Sequence, residues 1–138
     1  MNLKLVEGLD YVKDLNPQQY NIVKESEGPC LVIAGAGSGK TRVLVYRVCR
    51  LMENGVPPSS ILLVTFTNKA AREMIERVEK LLGSYAGGLW AGTFHHIANV
   101  LIRKYGGVLK IEPNYTILDE EDSVSILKEL TRNIADEE

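Results

Sequence analysis

Three times along the chain a short apolar run is followed by apolar residues at helical spacing. The first run, "PCLVIAG" (residues 29–35), is β-branched and cut off by glycine, which predicts a fully buried strand. Val45, Val48, Leu51 and Met52 then recur at helical spacing until "ENGVPPSS", where glycine and proline end the helix. The second run, "SILLVTF", predicts another buried strand, and "NKAAREMIERVEKLLG" puts Ala70, Met74, Val78 and Leu81 on one helix face. "GLWAGTF" with "HHIANVLIRKYGG" supplies a third pair. Strands alternating with amphipathic helices imply an α/β fold with a parallel sheet and right-handed crossovers.

The flanks differ from this repeat. Upstream, "LNPQQYNIVKES" has Asn16 as N-cap, Pro17 at the first helical position and Gln19 at the third, so a short helix is expected. Beyond Gly107, "YTILDEEDSVSILKELTRNIADEE" reads as an extended piece, an Asp119 cap and an acidic helix without a stop signal, the look of a truncated text.

Composition narrows the class. A length of 138 residues with 45% hydrophobic content suits one soluble domain, or one domain and part of another. No apolar run approaches the roughly 20 residues that span a membrane, and the acids of "MNLKLVEGLDYVKDLN" interrupt any signal-peptide core, so a cytoplasmic protein with no membrane partner is expected. Cys30 and Cys49 lack the spacing of a metal or redox motif, and both read as buried thiols. The net charge of −2 is uneven: residues 1–106 hold 13 Lys+Arg against 9 Asp+Glu, and residues 107–138 hold 3 against 9. A polyanion would meet the first part, although solvated helix faces account for the same charges.

The run "AGAGSGKTR" carries the candidate chemistry. The phosphate-loop pattern asks for Gly, four residues, then Gly-Lys-Ser/Thr; Gly39, Lys40 and Thr41 fit, and Ala34 stands at the first position. Gly35, Gly37 and Gly39 leave the backbone free to turn its amides inward, and a lysine adds a point charge at the β and γ phosphates. The Thr41 hydroxyl suits Mg²⁺, with water and phosphate oxygens completing the octahedron. The glycine spacing is not that of a dinucleotide fingerprint.

Four stretches, "LNPQQ", "AGAGSGKTR", "TFTNKAAREM" and "GTFHHIANVLIR", resemble in order and spacing the first motifs of superfamily 1 DNA helicases of the UvrD/PcrA/Rep type. The resemblance covers about residues 15–122, and Ala34 matches that family's own loop. It implies a RecA-like P-loop NTPase: residues 1–108 would be the N-terminal part of an ATP-binding motor domain, and residues 109–138 the start of a helical insertion subdomain. It assigns ATP to Ala36, Gly37, Ser38, Gly39, Lys40 and Thr41, with Lys40 and Thr41 catalytic and Thr41 holding Mg²⁺. Gln19 would read adenine, although it also fits a capping box. Arg42 would lie near the base, or be an exposed helix residue.

The same resemblance assigns single-stranded DNA to Phe66, Thr67, Asn68, Thr93 and His95. A phenylalanine at the carboxyl edge of a sheet can stack a base while hydroxyls and amides hold the backbone; the alternative for Phe66 is an ordinary core aromatic. His96 departs from the small residue expected there and reads as a capping or packing residue. Lys69, Arg72 and Arg103 add attraction to DNA or are solvated.

"YTILDEED" imitates the acidic motif of an ATPase, but Asp119 makes better sense as an N-cap. The second Mg²⁺ carboxylate, the water-positioning group and the arginine that hydrolysis requires are therefore expected further along, in the remainder of a helicase chain. The implied protein is an ATP-dependent DNA helicase and translocase acting on single strands and single/double-strand junctions, in DNA repair or replication, of which these residues alone would be inactive. A helicase-nuclease of the same superfamily, a small P-loop kinase and a noncatalytic DNA-binding module are the alternatives.

Overall fold

The computed structural model describes residues 9–83 and 86–135. They divide into two compact units, one up to Ala98 and one from Asn99 onward. In the first unit, helices α1 (Tyr11–Asp14), α2 (Pro17–Lys24) and α3 (Lys40–Glu53) precede strand β1 (Leu62–Thr65). Helix α4 (Asn68–Leu82) then leads to strand β2 (Trp90–Thr93), and helix α5 (Phe94–Tyr105) begins without a connecting loop.

Local chemistry starts these helices where the sequence places them. Asn16 and Gln19 close a reciprocal capping box on α2, with Pro17 in its first turn. Thr67 caps α4 by accepting the Ala70 N–H, and Gly55 takes a φ of 87° just past the end of α3.

The sheet is smaller than expected. Among the described residues it has two strands, β1 and β2, parallel and in register from Leu62↔Trp90 to Thr65↔Thr93. Helix α4 provides the crossover and packs against both strands and α3. The predicted strand at residues 29–35 is not formed: the segment is irregular, Leu31 is 86% and Ile33 89% exposed, and Cys30 is exposed as well. Strand β1 alternates instead of being buried throughout, with Leu63 and Thr65 inside and Leu62 half exposed. Both corrections have one cause. A fully buried parallel strand needs partners on both edges and helices on both faces. The described residues supply one ladder and one covered face.

The covered face holds the main core, in which Val45, Val48 and Cys49 of α3 meet Leu63 of β1 and Met74 and Val78 of α4. On α4 the innermost alanine is Ala71, one position after the one the periodicity picked; Leu51, Met52 and Leu81 pack at the margin. A second cluster joins Tyr11, Leu15, Val23, Val43 and Tyr46, with the two tyrosine rings edge to face at 5.9 Å. Their hydroxyls donate to carboxylates, Tyr11 to Glu53 at 2.5 Å and Tyr46 to Asp14 at 3.0 Å. Burial, and then these acids, push both phenols above their usual range.

The second unit contains the rest of α5, a short 3₁₀ turn at Gly106–Leu109 and helix α6 (Glu120–Ala135). The Tyr115 hydroxyl bonds the Asn99 side chain, and Arg103 lies 5.1 Å from the Tyr115 ring while donating to the Pro113 carbonyl at 2.9 Å. Asp119 caps α6 by accepting the Asp122 N–H at 2.8 Å, as its sequence context predicts. No described helix is long and apolar enough to cross a membrane.

The two cysteines thus have opposite environments. Burial, reinforced by the Glu53 carboxylate, pushes the Cys49 thiol up to about 12, so it stays protonated across the ordinary range. Iodoacetamide at about pH 8 is expected to alkylate Cys30 in the native 138-residue chain and to reach Cys49 only after denaturation. Peptide mass spectrometry reads the outcome, and equal native labelling of both would contradict these placements.

Candidate functional site

The glycine-rich run makes the turn that leads into α3. Ala36 and Gly37 form the bend, and Gly37 and Gly39 adopt φ of 75° and 87°, the left-handed region that glycine enters without strain. Gly39 is the N-cap of α3 and no side chain caps the helix, so the first-turn amides remain available to an anion. Thr41, half-buried, sits in that first turn.

Lys40 bends back over its own loop. Its ammonium donates to the carbonyls of Gly35 at 2.7 Å and Ala34 at 3.1 Å. Ser38 also returns to Gly35, through its hydroxyl at 2.8 Å and its amide at 3.4 Å. The loop is therefore held by its own polar groups, and a phosphate competes with neutral carbonyls for the lysine. A charged acceptor wins that competition, because charge-assisted hydrogen bonds are roughly twice as strong as neutral ones.

Gln19 has both of its amide atoms engaged. Its Oε1 accepts the Asn16 N–H at 3.1 Å and its Nε2 donates to the Ser38 carbonyl at 3.0 Å. The capping box foreseen from sequence is present, and the same side chain reaches the phosphate loop. A groove of about 450 Å³ opens beside the loop, walled by Gln19, Ile22, Ile33 and Leu44, with Lys40 and Arg47 contributing charge. Arg42 is exposed on α3 and lies outside this wall, its guanidinium 5.6 Å from the Tyr46 ring.

Arg47 is a residue that sequence reasoning missed. It donates to the carbonyls of Val23 at 2.7 Å and Ser26 at 2.6 Å, at the C-terminal end of α2. Two charge-assisted bonds to helix-end carbonyls fasten α2 to α3.

The strand ends form a second cluster. Thr65 and Thr93 are the last paired rung, so Phe66 and Phe94 emerge side by side at the carboxyl edge. Phe66 is 90% exposed and takes no part in the core that the described residues form. Thr67 and Thr93 play matching parts: each hydroxyl oxygen accepts an amide of the following helix, from Ala70 and His96, both at 3.1 Å. A hydroxyl accepting one bond keeps its own proton to donate, so each cap can still donate to a phosphate oxygen. Asn68 and His95 are exposed beside them.

His96 is exposed, with its ring against the strand backbone at Gly92. A Cβ on Gly92 would fall 2.9 Å from the His96 ring, which shows how closely that ring lies on the strand backbone. Sequence reasoning also passed over Phe94, although the Thr-Phe pair that ends β1 is repeated at the end of β2. The described residues hold no group of three or more His, Cys, Asp or Glu able to bind a metal. A metal at the loop would take one protein oxygen, from Thr41, a donor set that suits Mg²⁺ because that ion keeps most of its water or phosphate ligands.

Comparison with known proteins matches residues 15–138 to the UvrD/REP helicase N-terminal domain. The chain is 48% identical over 120 residues to the ATP-dependent DNA helicase PcrA of Staphylococcus aureus strain Mu50, a match covering 86% of this chain and 16% of that protein. It is 46% identical over 123 residues to the PcrA helicase of Staphylococcus epidermidis strain RP62A, covering 88% of this chain and 17% of the relative. The chain thus spans about one sixth of the curated relatives it matches.

Proposed function

The chain belongs to the UvrD/REP helicase N-terminal domain family, and from that membership we propose that it is the nucleotide-gripping, strand-contacting part of an ATP-dependent DNA helicase. The observation that carries the reading is the pairing of two sites in one unit: a glycine-shaped phosphate loop opening α3, and two threonine-capped helix starts with exposed phenylalanines at the sheet edge.

Each residue then has a task. The loop amides from Ala36 to Gly39 and the first turn of α3 hold the phosphates, and Lys40 leaves the Ala34 and Gly35 carbonyls for the β and γ oxygens. Thr41 holds Mg²⁺, which supplies charge neutralisation at those oxygens when bound. Gln19 serves the adenine from the wall of the groove; for Arg42, exposed and outside that wall, the base role rests on the family resemblance alone. Phe66, Thr67, Asn68, Thr93 and His95 hold single-stranded DNA, and junctions of single and double strand follow as substrates of unwinding.

Residues 1–108 are the motor-domain part and residues 109–138 begin a helical insertion; helix α6 supports the second part, while the two compact units divide earlier, between Ala98 and Asn99. Residues 29–35 form no strand in this chain, although the RecA-like sheet that the family implies would place one there. Their apolar composition and exposure are those of a strand whose neighbours belong to the remainder of the protein. The same remainder supplies the second carboxylate and the arginine of hydrolysis. The protein works in the cytoplasm, in DNA repair or replication.

The 138-residue chain is accordingly expected to turn over ATP no faster than a protein-free blank, with or without oligothymidylate. A malachite-green phosphate assay measures this. Robust Mg²⁺-dependent release, abolished in Lys40→Ala, would overturn the division of labour between this chain and the rest.

A further inference from the structure

Phe94 is 55% exposed and its ring centroid lies 5.5 Å from that of Phe66, the planes inclined at 51°. Parallel pairing makes this juxtaposition unavoidable, since the two residues follow partners of one rung in strands about 4.8 Å apart. Two large apolar rings left in water at neighbouring strand ends contribute little to the core. They do present π faces to whatever lies along the edge.

Resting on the strand-binding reading above, we propose that Phe94 contacts single-stranded DNA beside Phe66, the two rings forming one stacking surface for the bases. Three features favour this occupant. The inclined rings are already set by their mutual contact, so less rotamer freedom is lost on binding than for an isolated exposed phenylalanine. The Thr67 and Thr93 hydroxyls, each at a helix start, flank the rings where a backbone would run once bases lie on them. Aromatic faces accept any base, which suits a protein that moves along a strand without reading it.

The test measures binding of fluorescein-labelled oligothymidylate to the full-length protein by anisotropy, at several salt concentrations. Phe66→Ala is expected to weaken binding about tenfold and Phe94→Ala about fivefold, the range of single base–aromatic stacks. Phe94→Tyr should bind within about twofold of wild type, while Phe94→Leu, with similar bulk and no π face, should be as weak as alanine. The slope of log affinity against log salt should be unchanged in every Phe94 variant, because no phosphate contact is removed. Wild-type binding in Phe94→Ala, or full rescue by leucine, would overturn the proposal while leaving the role of Phe66 intact. Failure of the wild-type protein to bind the oligonucleotide at all would sink the strand-binding reading itself.

Discussion

Replacing Lys40 by alanine is expected to lower ATP turnover by the full-length protein about a thousandfold, the scale of removing a charged donor aimed at a developing transition-state charge. The variant should fold normally. Lys40 is exposed and its partners are the exposed-loop carbonyls of Ala34 and Gly35, so its loss should change stability by no more than about 0.5 kcal/mol. Lys40→Arg should fail to restore turnover, because a planar fork cannot replace a compact ammonium that has to turn from two carbonyls onto phosphate oxygens. Steady-state hydrolysis with saturating oligothymidylate, beside a thermal melt, checks both halves. Turnover within tenfold of wild type in Lys40→Ala would remove the lysine from the mechanism.

The second large effect concerns Gly39. At φ 87° and ψ 24° an alanine would carry about 1–2 kcal/mol of backbone strain. Its Cβ would also stand 2.7 Å from Gln19 Nε2, forcing that amide off the Ser38 carbonyl at about 0.5–1.5 kcal/mol. An exposed loop relieves such strain by adopting another conformation, so the loss should appear in nucleotide affinity more than in melting temperature. Gly39→Ala is expected to weaken binding of a fluorescent ATP analogue about thirtyfold, equivalent to about 2 kcal/mol. Gly37 supplies the control, since it shares a positive φ of 75° but a Cβ there meets nothing within 4 Å. Gly37→Ala should therefore lose only the strain component, about tenfold. Unchanged affinity in Gly39→Ala would mean that the loop geometry is not the binding geometry.

What sequence could foretell follows the range of the interactions. The caps at Asn16 and Asp119 are set by residues within three positions, and both are found where the sequence analysis expects them, while the equally local Thr67 cap is one it did not name. Strands β1 and β2 were legible from their apolar runs. The strand expected at residues 29–35 is not formed, because a strand is a relation between segments and an apolar run carries no information about its partners. Cys30 was misjudged for the same reason.

At the site, residue types were legible and their partners were not. Lys40 stands out in the sequence as a candidate phosphate ligand, but its return to the Ala34 and Gly35 carbonyls depends on how two left-handed glycines turn the loop. Phe94 became visible only through the register that sets Thr65 against Thr93. The repeated Thr-Phe pair was the available signal.

The two bonds from Arg47 have a mechanical meaning. They hold the C-terminal end of α2, while Gln19 near its other end holds the loop that opens α3. Helix α2 is thus tied to α3 at one end and to the loop that opens α3 at the other, and neither helix can slide or pivot alone without breaking these hydrogen bonds. The base-side and phosphate-side contacts of a nucleotide would bear on one stiff two-helix beam. On the function proposed above, a stroke driven by that nucleotide would carry the beam as a whole, α2 included, though that helix is only eight residues long.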